Sequence, residues 1–268
     1  MKYKLLVADF DDTTVDDSLI IPIQVKDSIH QYVKSGGIFT FCTGRMTESI
    51  IKYARELDLK GEIMGYQGAE VADIETGKVL FQNSIPEEIA LYICEYIDKT
   101  GEYYQLYDSG NFYVEKDCPQ ARDYERFTGI KMNVTNMYLS HFVKTNHVNP
   151  LKIMLRIDPK ESEKYLKDYN FLFGKLVNVN TSKKHLIEIV DKRVDKGTAV
   201  RDLCGRLRIS REETVCIGDS LSDVPMIEFA GLGVCVDNGL EIAKKAASLI
   251  VPSCNQGGLS YLINNYCI

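Results

Sequence analysis

The sequence lacks any apolar run near the roughly 20 residues that cross a bilayer, so no helical membrane span is expected. Residues 1–8 lead straight into acidic side chains instead of a signal peptide's cleavage region, and a cytoplasmic location is the expectation. Positive charge is never concentrated: 32 Lys and Arg against 38 Asp and Glu give a formal net charge of -6, with no basic block or stripe. A nucleic-acid backbone or an anionic membrane surface would call for such a stripe, so neither is expected as a partner. Histidine is scarce, with four in the chain, and the eight cysteines stand singly without a CxxC pair. A structural zinc site and a disulfide scaffold are therefore not expected, and most of the thiols read as small core hydrophobes.

What the chain does have is apolar content, 45% of 268 residues, enough for a sizeable core and for two domains. Short apolar runs at 3–10, 38–42 and 63–66 are too brief for helix cores and read as strands, the first two buried on both faces. After a polar loop at 11–18, Pro22 opens a helix carrying Val25, Ile29, Tyr32 and Val33 at helical spacing, stopped by Gly36 and Gly37. A second helix follows Thr47, with Ile50, Ala54 and Leu57 on one stripe. Strands alternating with helices predict an α/β fold with a Rossmann-like, mainly parallel sheet. Glu75-Thr76-Gly77 marks a hairpin turn.

The character changes after Asn83. A helix at 86–97, aromatic strands at 103–107 and 112–114, a strand at 151–157, a polar helix near 161–169 and strands near 176–179 and 186–189 suggest an inserted α+β module. Residues 131–149 carry no readable pattern. Buried α/β character returns after Lys196-Gly197, with helices at 198–207 and 224–229, strands at 215–217, 233–236 and 249–251, a helix from Glu241 and a closing helix after Gly258. The expected division is core 1–82, insert 83–190 and core 191–268.

Three buried strands end in chemically equipped residues: Asp9-Phe10-Asp11-Asp12-Thr13, Thr43-Gly44-Arg45, and Gly218-Asp219-Ser220-Leu221-Ser222-Asp223. In an open α/β sheet the loops beyond the carboxyl ends of the strands converge on one crevice, so these residues can meet there. Asp9 and Asp11 are two apart and point the same way from a strand, with Phe10 turned into the opposite layer. Two or three such carboxylate or carbonyl oxygens suit Mg²⁺, and an aspartate can attack phosphorus to form an aspartyl-phosphate. Thr43 offers a hydroxyl to phosphate, Gly44 permits a tight backbone, and Arg45 holds an acidic neighbour or substrate unless it is a surface ion pair. Lys196 precedes a glycine and a new helix, where its ammonium can approach a phosphate. Asp223 also has a purely structural job open to it as the N-cap of the helix at 224–229.

This ordered set resembles the haloacid dehalogenase-like phosphatases, specifically the Cof-type branch of sugar-phosphate and related phosphatases with a large cap between the second and third core motifs. The first motif, DxDxT, stands as Asp9, Asp11 and Thr13, the second is Thr43, the third Lys196, and the fourth Gly218-Asp219 with Asp223. The resemblance implies Asp9 as nucleophile and Mg²⁺ ligand, and Asp11 as general acid and base with its backbone carbonyl on the metal. It implies that Thr43 and Lys196 grip the phosphoryl oxygens, that Asp219 ligates Mg²⁺, and that Asp223 supports that shell or fixes Lys196. Gln67 matches a family loop position more often occupied by asparagine, and Asn255 matches a late loop asparagine near the core site. Asp12 stands where glycine is usual, and Ser222 replaces an asparagine, which touches the hydrogen bonding around Lys196 or a metal-bound water.

The expected substrate is a small phosphorylated metabolite, a sugar phosphate foremost. Alternatives are a cofactor phosphate such as pyridoxal phosphate or flavin mononucleotide, a phosphomutase or phosphotransferase using the same intermediate, or a metabolite-binding regulatory protein without turnover. A cysteine phosphatase is disfavoured because no CxxxxxR loop exists. His30, His141 and His147 read as surface or packing residues, while His185 is a candidate for lining the cap. Tyr103, Tyr104, Tyr107 and Tyr113 fall in a hairpin where one face could meet substrate.

Overall fold

The computed structural model describes residues 2–16 and 18–268; Met1, and Asp17 in the expected polar loop, lie outside the described residues. In chain order the first part holds β1 (Leu5–Ala8), α1 (Ile23–Lys34), β2 (Ile38–Phe41), α2 (Thr47–Glu56), β3 (Glu62–Gly65), β4 (Glu70–Asp73) and β5 (Val79–Gln82). Next come α3 (Glu87–Thr100), β6 (Tyr104–Asp108), β7 (Asn111–Val114), α4 (Pro119–Thr128), β8 (Met132–Val134), α5 (Leu139–Asn146), β9 (Lys152–Arg156), α6 (Ser162–Phe173), β10 (Val177–Asn180) and β11 (Leu186–Asp191). The chain closes with α7 (Lys196–Leu207), β12 (Thr214–Gly218), α8 (Val224–Phe229), β13 (Leu232–Val236), α9 (Glu241–Ala246), β14 (Leu249–Val251) and α10 (Gly258–Leu262).

The first sheet has the order β14-β13-β12-β1-β2 and is parallel throughout, as the buried apolar strands predict. Every residue of β1 is buried, because the sheet is covered on both faces. Leu6, Ala8 and Phe10 pack with Val25, Ile29, Ile50, Ala54 and Leu259 on one side, whereas Leu5 and Val7 pack with Ala199, Val200, Leu203 and Met226 on the other. That alternation puts α1, α2 and α10 on one face and α7 and α8 on the opposite one. A small antiparallel sheet, β3-β4-β5, continues from β2 through a bridge between Cys42 and Met64.

Residues between β5 and α7 build the third sheet, ordered β10-β11-β9-β6-β7-β8 and antiparallel except between β7 and β8. Its side chains split by parity. Tyr104, Leu106, Ile153, Leu155, Ile187 and Ile189 meet Ile93, Ile97, Val143 and Phe173 from α3, α5 and α6. Tyr107, Met154, Leu186 and Val190 point the other way, joining Met46, Tyr66 and Ala69 from the first part of the chain. This second face also carries Gln105, Lys152, Arg156 and Glu188, and it hangs over the carboxyl ends of β1, β2 and β12.

The structure fills the unreadable segment 131–149 with β8 and α5, and it adds α4, to which the sequence pattern assigns no element. Among α4 residues Ala121 and Thr128 alone are buried, so no apolar stripe announces the helix; Pro119 opens it and Gly129, at φ 73°, closes it.

Candidate active site

Lys196 begins α7 with its side chain fully buried, and its ammonium donates at 2.6 Å to Asp9 beyond β1 and at 2.6 Å to Asp223 beyond β12. The second oxygen of Asp223 accepts from the Asp219 N–H (3.0 Å), the Ser220 N–H (2.8 Å) and the Ser220 hydroxyl (2.8 Å). Asp223 thus fixes Lys196 and ties down the Asp219 loop, and its side chain makes no cap bond to α8. Gly218 is obligatory for that fold of the loop: a Cβ there would lie 2.4 Å from the Asp223 side chain. Ser222 is buried and shares a hydrogen bond with the Ser220 hydroxyl at 2.9 Å, which supports the same loop from the far side of Asp223.

Asp9, Asp219 and Asp223 offer carboxylate oxygens within 4.8 Å of one another, an all-oxygen set suited to a hard cation such as Mg²⁺. Thr13 donates to Asp219 at 2.8 Å, leaving that carboxylate's other oxygen open to a cation. Three buried carboxylates facing one lysine leave excess negative charge. Burial, offset in part by Lys196 and worsened by Asp223 and Asp11, pushes Asp9 up to about 7. Burial, then repulsion from Asp223 and Asp9, also holds Asp219 well above the usual carboxylate range. A divalent cation would relieve this charge, and the donor set fits Mg²⁺.

The Asp11 side chain lies outside that carboxylate group and turns to Arg45, whose Nε and Nη2 donate to its two oxygens at 2.8 and 2.7 Å. Any contribution of Asp11 to a cation would therefore come from its backbone carbonyl. Arg45 is buried, so the surface ion pair is replaced by an internal one, and its guanidinium faces the carboxylate instead of standing free for phosphate. Phe10 packs into the core against Phe41 and Tyr53, opposite in direction to Asp9 and Asp11. Thr43 is buried at the floor, where its hydroxyl accepts from the Arg45 N–H at 3.2 Å.

These groups floor a cavity of about 350 Å³ whose roof comes from the third sheet and α4. Lys152 and Glu188, both almost fully buried, form an ion pair there at 2.8 Å. Lys152 also donates to the Gly44 carbonyl at 2.7 Å, and Gln67 donates to Glu188 at 2.6 Å. Gly44 lets this junction close, since a Cβ there would meet the Gln67 amide nitrogen at 2.6 Å. Burial alone would raise Glu188, yet Lys152, with bonds from Ser182 and Gln67, holds its carboxyl below the ordinary value. Asp12, in the left-handed region at φ 58°, pairs with Lys183 of the insert at 3.2 Å.

Sequence reasoning missed Lys152, Glu188 and Phe127. For the first two a signal existed, a charged residue inside an otherwise apolar strand. His185 does line the cavity, but none of Tyr103, Tyr104, Tyr107 and Tyr113 is among its lining residues, and Tyr124 of α4 is. Asn255 is exposed and lines a neighbouring cleft of about 750 Å³ rather than the cavity containing Asp9. Cys42 and Cys216 are buried, and burial first of all pushes both thiols up, in keeping with packing roles.

Carboxylates and a lysine gathered at the ends of parallel strands define a phosphoryl-transfer hydrolase built on an α/β core. The chain belongs to the haloacid dehalogenase-like hydrolases, whose family pattern it matches over residues 6–263. It is 30% identical to YxeH of Bacillus subtilis, which carries the name of a phosphatase, over 98% of this chain and 97% of that one. A crystal structure of TM0651 from Thermotoga maritima is similar at a TM-score of 0.81 and 30% identity, covering 98% of this chain and 97% of the other. The fold is also shared with the sugar phosphatase BT4131, at a TM-score of 0.84 and 19% identity over 99% of this chain and 100% of that one. The protein is a phosphatase of this family, as the Cof-type motifs imply.

Proposed function

We propose that the protein is a Mg²⁺-dependent phosphomonoesterase for small polar phosphorylated metabolites, sugar phosphates foremost, with Asp9 as nucleophile. The observation that carries this reading is the Lys196 ammonium held between Asp9 and Asp223 at the floor of a cavity roofed by the third sheet and α4. A cavity of about 350 Å³ is at the small end of ligand sites, which run from about 300 to 1,000 Å³, and suits a compact substrate. Residues 83–190 serve as the cap: they supply Gln105, Lys152, Arg156 and Glu188, groups able to read hydroxyls.

Lys196 and Thr43 orient the phosphoryl oxygens so that an Asp9 oxygen lies in line with the ester oxygen. As the Asp9–phosphorus bond forms, the bond to the leaving oxygen breaks, and its electron pair takes a proton from Asp11. Asp11 then removes a proton from water, whose oxygen attacks phosphorus and displaces the Asp9 carboxylate, releasing phosphate. Mg²⁺, held by Asp9, Asp219 and the Asp11 carbonyl, would neutralise the charge shared by nucleophile and substrate. The third sheet roofs the cavity and restricts the approach of bulk water to the intermediate.

Phosphate release from a panel of sugar phosphates, pyridoxal phosphate, flavin mononucleotide and nucleotides, with and without Mg²⁺, tests the proposal. Asp9→Asn should retain the fold and lose turnover by several orders of magnitude. Equal turnover of parent and variant would end the nucleophile assignment, and no release from the folded parent would favour binding without turnover.

A further inference from the structure

The Arg45 guanidinium makes two bonds to Asp11 and lies against two aromatic rings, Phe10 at 5.0 Å and Phe127 at 4.4 Å from its central carbon. Phe10 belongs to the core, whereas Phe127 belongs to α4 of the insert and is partly exposed at the cavity wall. The third nitrogen of Arg45, Nη1, is buried with no hydrogen-bond partner among the described residues, so hydrogen bonds hold the guanidinium on one edge only. The α4 end bearing Phe127 is docked on the core through the Ser49 hydroxyl, which donates to the Thr128 carbonyl at 3.4 Å. The planar cation is therefore fixed by Asp11 at its edge and by aromatic faces, one of which arrives with the insert.

We propose that Arg45 and Phe127 are positioning residues for Asp11: the insert's ring, packed on the guanidinium, holds the Asp11 carboxyl where it meets the leaving oxygen. This deepens the reading of Asp11 as acid and base and rests on it. Assembly of the proton-transfer geometry is thereby tied to seating of the insert, with no insert residue needed for the proton transfer itself. Phe10 alone cannot serve this purpose, since it is part of the core whether or not α4 is in place.

Leaving-group dependence separates this role from a structural one. p-Nitrophenolate departs with little help from an acid, whereas the alkoxide of glycerol 1-phosphate needs a proton as it leaves. General acid catalysis contributes about 10²- to 10⁴-fold, and loss of its positioning falls on the alkyl ester. The ratio of kcat/KM for p-nitrophenyl phosphate to that for glycerol 1-phosphate, which reports only the step in which the ester oxygen leaves, should rise at least about tenfold in Phe127→Ala and further in Arg45→Lys, with Phe127→Tyr restoring the parent ratio. Phe127 is partly exposed, which keeps its variants informative should Arg45→Lys fold poorly. An unchanged ratio in Phe127→Ala, with both substrates slowed alike, would overturn the proposal. Asp9→Asn and Asp11→Asn are the controls: turnover retained in Asp9→Asn, or no ratio change in Asp11→Asn, defeats the underlying reading instead.

Discussion

Replacing Lys152 by methionine keeps most of the side-chain volume but strands Glu188, a carboxylate only 2% exposed, without its cation. The same change leaves the Gly44 carbonyl without the ammonium that meets it at 2.7 Å. Breaking a buried pair from one side costs about 3–5 kcal/mol, because the orphaned charge stays desolvated. That loss corresponds to a fall in melting temperature of about 6–20 °C. Removing both charges in Lys152→Met/Glu188→Gln should recover about half of the loss or more, since the main cost lies in the unpaired charge. The pH dependence gives a second reading of the same physics. In the parent, Glu188 is held below its ordinary value of 4.5, so the pair's contribution is full above that value and is lost as pH falls through the lowered one. In Lys152→Met, burial, the largest influence on Glu188, is opposed only by the Ser182 and Gln67 bonds and raises it, so the folded state takes up a proton and regains stability on acidification. Thermal melts of the parent and both variants at pH 7 and near pH 4.5 should show the gap narrowing at the lower pH. A single variant that loses less than about 1 kcal/mol, or loses equally at both pH values, would refute the buried-pair reasoning.

Gly44→Ala should cost about 1–3 kcal/mol, because the added methyl meets the Gln67 amide at 2.6 Å and Glu188 at 3.2 Å while hydrogen bonds pin both; urea unfolding measures it, and a neutral substitution would show that the junction yields. Mg²⁺ affinity should fall by about tenfold or more per pH unit below Asp9's value of about 7, since the metal must displace the proton of Asp9 and any carried by the raised Asp219. Calorimetric titration with Mg²⁺ at pH 5.5, 6.5 and 7.5 checks this, and a flat profile would contradict the crowding of Asp9 by burial and like charge. For the metal-free protein the pH dependence is the opposite. Asp9 is raised from 3.8, so its proton is bound in the folded state and released on unfolding between those values, and this contribution to stability declines as pH rises.

The core strands were legible because a parallel sheet covered on both faces leaves short unbroken apolar runs, as in Leu5–Ala8. The floor of the site was legible for a related reason: Asp9, Thr43 and Asp219 follow directly on such runs, and strand ends in this architecture converge. The partner of each group was harder to read. Asp223 could cap a helix by its position, and only the coordinates show its oxygens committed to Lys196, Asp219 and Ser220. Asn255 lines an adjoining cleft that shares Asp12 and Asp219 with the cavity, a placement that no local pattern encodes. The roof stayed hidden because Lys152 and Glu188 meet across strands 36 residues apart in sequence, a pairing fixed by register alone. In α4 the helix turns most of its surface to water and to the cavity, so its apolar periodicity is too thin to detect.

The alternation of side chains along β6, β9 and β11 amounts to a division of labour by odd and even positions. Ile153, Leu155, Ile187 and Ile189 maintain the insert, and the residues interleaved with them, Lys152, Met154, Leu186 and Glu188, line the roof of the cavity. A lineage can therefore alter what the cavity accepts at positions such as Gln105 and Arg156, leaving the hydrophobic half of each strand and the buried Lys152–Glu188 pair untouched. Selectivity and foldability thus occupy adjacent letters of the sequence, and they are joined at the Lys152–Glu188 pair, where a change in the cavity is also a change in stability.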